Sequence, residues 1–128
     1  MSIAPRVLVV DDELPLCMVL KDTLEMEGYD VEICSDADTA RQKLADERFD
    51  VAMLDVYLTD EPLGIELGRD VISKYPSTSL VFMTGYALED DIRSGIESGA
   101  FTCIRKPYML DDVIRVVSTS VDAAKTIQ

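Results

Sequence analysis

Four short stretches of this chain each end an apolar run on a residue that could do chemistry. VLVVDDE (Val7–Glu13) runs four aliphatic residues straight into Asp11 and Asp12. VAMLD (Val51–Asp55) repeats the pattern and ends on Asp55. VFMTG (Val81–Gly85) ends on the hydroxyl of Thr84 and a glycine, and IRKP (Ile104–Pro107) ends on the ammonium of Lys106. Two unit charges about 4 Å apart repel by roughly 4 kcal/mol at an effective dielectric near 20. Three carboxylates in one place therefore need more positive charge than Lys106 carries. A hard divalent cation would supply it, and carboxylate oxygens with water are what Mg2+ prefers; no EF-hand spacing is present to suit calcium.

A cation, a carboxylate, a hydroxyl and an ammonium together suit a phosphoryl group. Asp55 can act as nucleophile and carry an aspartyl phosphate. Mg2+ can bridge carboxylate and phosphoryl oxygens, with Lys106 and Thr84 on the remaining oxygens. Gly85 leaves room and offers a backbone N–H. Taken singly, Asp12 or Thr84 could cap a helix, Asp55 could be a turn residue and Lys106 a surface charge. The chemistry requires that they converge.

The elements that must position them alternate along the chain. Strands are expected at Arg6–Val10, Val31–Cys34, Val51–Leu54, Leu80–Met83 and Phe101–Ile104. A first helix from about Leu14 to Glu27 carries Leu16, Val19, Leu20 and Leu24 on one face, with Gly28 as its stop. Asp36 can cap a second helix carrying Ala37, Ala40, Leu44 and Ala45. After a loop over residues 56–63, a third helix with Ile65, Leu67, Val71 and Ile72 should end before Pro76. Leu88–Ser98 has helical spacing but holds Ser94 and Gly95, so its intrinsic propensity is weak. A last helix runs from Met109 to about Ala124. Alternation of this kind implies parallel strands joined by right-handed crossovers. The expected fold is α/β: a doubly wound three-layer α/β/α sandwich, flavodoxin-like, whose five-stranded parallel sheet has the order 2-1-3-4-5. In that order the chemistry-bearing strand ends are neighbours at the carboxyl edge, where such sheets bind ligands.

At 128 residues, with no repeat or linker, one domain is expected over residues 1–128, its core about 6–121. The formal net charge of -13 repels phosphate backbones, which argues against nucleic acid as a partner. With no histidine, the usual zinc ligand and general base are missing. Cys17, Cys34 and Cys103 form no CxxC pair and read as small buried hydrophobes of a reducing compartment. There is no apolar run of membrane-spanning length and no signal-peptide pattern. A cytoplasmic location without membrane contact is expected.

Together, VLVVDDE, VAMLD, VFMTG and IRKP, in this order with these intervening elements, resemble the receiver domain of two-component response regulators. The resemblance covers essentially Arg6 to Val121. It implies that Asp55 is the phosphoacceptor, that Asp12 binds Mg2+ directly and Asp11 largely through water, and that the backbone carbonyl of Tyr57 completes the protein ligands. It makes Thr84 the switch hydroxyl and Lys106 the phosphate-contacting lysine, with a cis Lys106–Pro107 bond, accessible because the residue is proline. It implies a phosphoryl donor, a histidine kinase or histidine phosphotransfer protein, docking near Leu14, Pro15, Pro107 and Tyr108. The face by residues 85–106 and the last helix would switch, and the fifth strand with the last helix is a candidate output or homodimer face. Such a domain supports its own phosphotransfer and autodephosphorylation without being a classical enzyme.

Three features depart from the family pattern. Cys103 stands where the family usually has an aromatic switch residue, so coupling is expected to run through Tyr86 or the backbone. Thr59 replaces a proline, and Gly64 comes nine positions after Asp55 instead of eight, so the loop is one residue longer. Tyr57 and Tyr86 flank the expected path of attacking water, which points to a long-lived aspartyl phosphate.

Three other readings of the same residues differ in what they require. A haloacid-dehalogenase-like phosphatase needs a second Asp two residues after the nucleophile, where this chain has Tyr57. A flavodoxin-like cofactor binder needs a hydroxyl- and glycine-rich loop after the first strand, where DDELP is anionic. A pseudo-receiver that is never phosphorylated would keep the fold as a binding module.

Overall fold

The computed structural model describes residues 3–59, 61–85, 90, 93 and 101–127. Its five strands are β1 (Arg6–Val10), β2 (Asp30–Cys34), β3 (Val51–Asp55), β4 (Ser79–Thr84) and β5 (Thr102–Arg105). They pair in parallel in the order β2-β1-β3-β4-β5, as expected. The helices among the described residues are α1 (Leu14–Met26), α2 (Ala37–Asp46), α3 (Leu63–Lys74) and α4 (Leu110–Ile127).

Successive strand residues point to opposite faces, and both faces of this sheet are covered. Leu8, Val10, Ala52, Leu54, Leu80 and Phe82 meet Ala40 and Leu44 of α2 and Leu67 and Val71 of α3. The alternate residues Val7, Val9, Val51, Met53, Val81 and Met83 meet Cys17, Leu20 and Leu24 of α1 and Val113, Val117 and Val121 of α4. This is why β1, β3 and β4 read as unbroken apolar runs. Each fully buried Val or Leu contributes on the order of 1.5–3 kcal/mol of transfer free energy.

Local signals set the helix ends. Gly28, at φ 95, follows α1 in a left-handed conformation that suits glycine. Asp36 caps α2 by accepting from Thr39 N at 2.7 Å. Helix α3 ends at Lys74, ahead of Pro76.

Several sequence expectations shift. The buried face of α1 is Cys17, Leu20 and Leu24, while Val19 is about half exposed at 47%. Position 19 lies some 100° from 20 around a helix, so an apolar residue there can face outward. Ile72 of α3 is likewise exposed. Strand β5 begins at Thr102, leaving Phe101 just outside it. Of the cysteines, only Cys17 is fully buried; Cys34 and Cys103 are half-buried and all three are free thiols. The weak helix expected over Leu88–Ser98, and Tyr86 before it, fall outside the described residues apart from Asp90 and Arg93. Among the described residues no helix is long and apolar enough to cross a membrane.

Candidate functional site

The strand register brings the chemistry-bearing residues to one edge. Val10 pairs with Leu54, so β1 and β3 surface side by side, and Asp11 and Asp55 emerge next to each other. Asp55 pairs with Met83, which places Thr84 one step beyond on β4. Thr84 pairs with Arg105, and its backbone carbonyl accepts from Lys106 N at 2.8 Å. The Lys106–Pro107 bond is cis, as the resemblance implied.

Asp11, Asp12 and Asp55 each offer a carboxylate oxygen within 4.8 Å of the others. Lys106 Nζ lies 2.7 Å from Asp11 Oδ2 and 3.0 Å from Asp55 Oδ2. Asp11 is fully buried, Asp55 is 8% exposed and Asp12 faces solvent. One ammonium therefore faces three carboxylates. An oxygen-only donor set with excess negative charge, partly open to water, fits a hard divalent cation such as Mg2+. Each carboxylate is also oriented from behind. Asp11 Oδ1 accepts from Glu13 N at 3.0 Å, Asp55 Oδ1 from Tyr57 N at 3.2 Å and Asp12 Oδ2 from Thr59 N at 2.9 Å. The helix-cap reading of Asp12 falls away: the residue at the start of α1 is Glu13, which makes no side-chain cap.

Electrostatics follow from burial. Desolvation pushes the Asp55 carboxyl up to about 6; the hydrogen bond from Lys106 opposes this and the charge of Asp11 adds to it. Desolvation alone would lower the Lys106 ammonium, but hydrogen bonds to Asp11 and Asp55 outweigh it and hold the pKa above its ordinary value. Lys106 thus stays charged, while burial weakens the hold of Asp55 on its charge. Burial pushes the Tyr108 phenol up to about 12, so it is neutral; its hydroxyl is buried and has no hydrogen-bond partner among the described residues.

Around this edge Leu14, Pro15 and Pro107 are exposed and Tyr108 is half-buried. Two adjoining clefts share Glu13 and Leu16: one is completed by Lys106, Pro107 and Tyr108, the other by Asp12, Leu14, Pro15 and Val19. Cys103 packs against the cluster that holds Phe82. Phe101, two residues earlier on the same side, meets Phe82 edge-on with ring centroids 4.9 Å apart.

Sequence reasoning missed the backbone donors. It flagged Thr59 only for not being proline, yet that substitution creates the N–H that reaches Asp12. It flagged Gly64 only for its spacing, although a side chain there would collide with the backbone of Asp55. Glu13, whose Oε2 lies 4.0 Å from Lys106 Nζ, was likewise passed over.

Comparison with known proteins agrees with the geometry. The family pattern described as response regulator receiver domain matches residues 7–118. A CheY-like response regulator receiver domain protein from Methanospirillum hungatei JF-1 superposes with a TM-score of 0.87 at 30% identity, covering 97% of this chain and 98% of that one. A response regulator from Thermotoga maritima gives 0.80 at 27% identity, covering 94% and 99%. NtrX from Brucella abortus gives 0.84 at 28% identity; there the match covers 97% of this chain but 28% of that longer one.

Proposed function

We propose, from the premise that this chain belongs to the response regulator receiver domain family, that it accepts a phosphoryl group on Asp55 from a phosphohistidine of a partner protein. One observation carries the reading: three carboxylates from two neighbouring strand ends meet within 4.8 Å, and a single lysine bridges Asp11 and Asp55.

An Asp55 carboxylate oxygen attacks the phosphorus; the O–P bond forms, the P–N bond to imidazole breaks, and the imidazole leaves with the electron pair. Lys106 stands where phosphoryl charge would develop, and the Thr84 hydroxyl at the end of β4 takes another phosphoryl oxygen. Asp12, Asp55 and the Tyr57 carbonyl would hold Mg2+ directly and Asp11 through water. When bound, Mg2+ would offset the carboxylate charge and draw in the phosphoryl oxygens. Hydrolysis later clears the site: water attacks phosphorus, the acyl O–P bond breaks, inorganic phosphate leaves and the Asp55 carboxylate returns. The chain supports this self-limited chemistry without turning over a diffusible substrate.

A histidine kinase or histidine phosphotransfer protein would dock over the exposed Leu14, Pro15 and Pro107 beside Tyr108. Loading would draw Thr84 inward and bias β5, Cys103 and the segment containing Tyr86. Helix α4 and β5 would carry the change to an output partner or a second copy.

The test is incubation with Mg2+ and acetyl phosphate followed by intact mass. The expected result is a gain of one phosphoryl group that is labile at high pH and absent in Asp55→Asn. No gain in the wild type would leave the pseudo-receiver reading standing, and sustained release of phosphate from many small esters would favour a phosphatase.

A further inference from the structure

We propose that Gly64, at the start of α3, is a positioning residue for Asp55; this rests on the phosphoacceptor reading above. A Cβ built on Gly64 overlaps the Asp55 carbonyl oxygen and comes within 2.8 Å of the Asp55 carbonyl carbon and 2.9 Å of Val56 Cα. All three are backbone atoms, so no rotamer change relieves the contact. Neither side is free to yield. Gly64 N donates to Val56 O at 3.1 Å, and Val56 N donates to Met83 O of β4 at 3.0 Å. The first turn of α3 is therefore clamped to the peptide that follows the phosphoacceptor, and that peptide is clamped to the sheet.

The carboxylate sits one bond system away. Its Oδ1 is held by Tyr57 N and its Oδ2 by Lys106 Nζ. Any side chain at 64 must push α3 outward or tilt the Asp55–Val56 peptide, and the tilt misaims the carboxylate against Lys106 and its two acidic neighbours. A misplacement near 1 Å costs about 100-fold in a transfer that depends on alignment.

Gly68 provides the matched control. It lies one helical turn on, is also buried, and a Cβ there meets the Phe82 ring and, at 3.2 Å, Leu80 Cδ2. Those are side-chain atoms of the core, away from the acidic edge. Gly64→Ala and Gly68→Ala should both lower stability, but only Gly64→Ala should disturb Asp55.

The experiment measures, at a temperature where circular dichroism shows each variant folded, the acetyl phosphate rate constant, the half-saturating donor concentration and the Mg2+ dissociation constant by calorimetry. Gly64→Ala should lower the maximal rate by about 10- to 100-fold and weaken Mg2+ binding, with half-saturation little changed. Gly68→Ala should stay within about twofold of wild type on both. Equal effects in the two variants, or a normal rate and Mg2+ affinity in Gly64→Ala, would overturn the proposal. If Gly64→Ala does not fold, wild-type amide spectra decide: Mg2+ with beryllofluoride should shift the Gly64 amide well beyond that of Gly68, and no such difference would overturn it. A wild type that binds Mg2+ but takes no phosphate defeats the proposed function alone, since the Mg2+ arm still judges Gly64.

Discussion

The backbone amide of Thr59 donates to Asp12 Oδ2 at 2.9 Å, joining two residues 47 positions apart. Thr59 makes this bond from φ 50, a left-handed conformation costly for a β-branched residue. Its hydroxyl donates to Leu58 O at 2.7 Å, and Leu58 and Glu61 exchange backbone bonds of 2.9 and 3.1 Å that close the loop. Strain of this kind beside a site costs of order 1–3 kcal/mol and persists only where the surroundings enforce it.

Thr59→Gly keeps the N–H and removes the strain, at some entropic cost in the unfolded chain. It should raise stability by about 1 kcal/mol in urea denaturation and leave Mg2+ affinity within about twofold. Thr59→Pro removes the donor and cannot adopt positive φ. It should lower both stability and Mg2+ affinity, and an unchanged affinity would show that the loop does not orient Asp12.

Asp55→Asn should stabilise the protein at pH 7.5 without divalent metal. The folded-state pKa of about 6 lies above the ordinary 3.8, so the folded chain holds this proton more tightly than the unfolded chain. The stability tied to that proton is fully present below about pH 3.8 and is lost as pH rises through about 6. Asparagine removes the loss, for a gain on the order of 3 kcal/mol at pH 7.5. In thermal scans the gain should shrink toward pH 4, and added Mg2+ should narrow it by stabilising the wild type.

Lys106→Met should act in the opposite sense. It leaves buried Asp11 and Asp55 without their shared counter-charge, and breaking such a pair from one side costs several kcal/mol. With Lys106 partly exposed, about 2–3 kcal/mol is expected. Mg2+ should restore more stability to this variant than to the wild type, while phosphorylation by acetyl phosphate falls by at least about 100-fold, as expected for loss of a charge aimed at the transferring group.

Tyr57→Ser addresses the lifetime of the loaded state. Tyr57 is half-buried beside Asp55, and its ring can shield the acyl phosphate from in-line water. Loss of radiolabelled phosphate from the purified loaded protein should speed up several-fold. A lifetime equal to wild type would remove Tyr57 as a shield.

Much of the site was legible because its residues sit where apolar runs end. Asp11, Asp12, Asp55 and Thr84 each follow an unbroken apolar run whose burial on both faces could be read from the sequence, whereas Lys106 ends the partly exposed edge strand β5 and was legible through IRKP. The backbone supports were not legible in this way. A backbone amide has no side-chain signature, so the Thr59 donor to Asp12 and the Tyr57 donor to Asp55 are invisible until the loop is folded. The outward turn of Val19 has a similar origin: an apolar residue beside Leu20 could line the buried face, and only the packed helix shows that Cys17, Leu20 and Leu24 face the core while Val19 does not.

The amino-acid order by itself determined the alternation of strands and helices and the ends on which the charged groups stand, because hydrophobic periodicity and chain-terminating signals are local. Only the tertiary structure decided that Lys106 bridges Asp11 and Asp55, that Thr59 holds Asp12 and that Gly64 abuts the Asp55 carbonyl. Those contacts depend on register between strands and on how closely a helix start approaches a sheet edge, distances that no local pattern encodes.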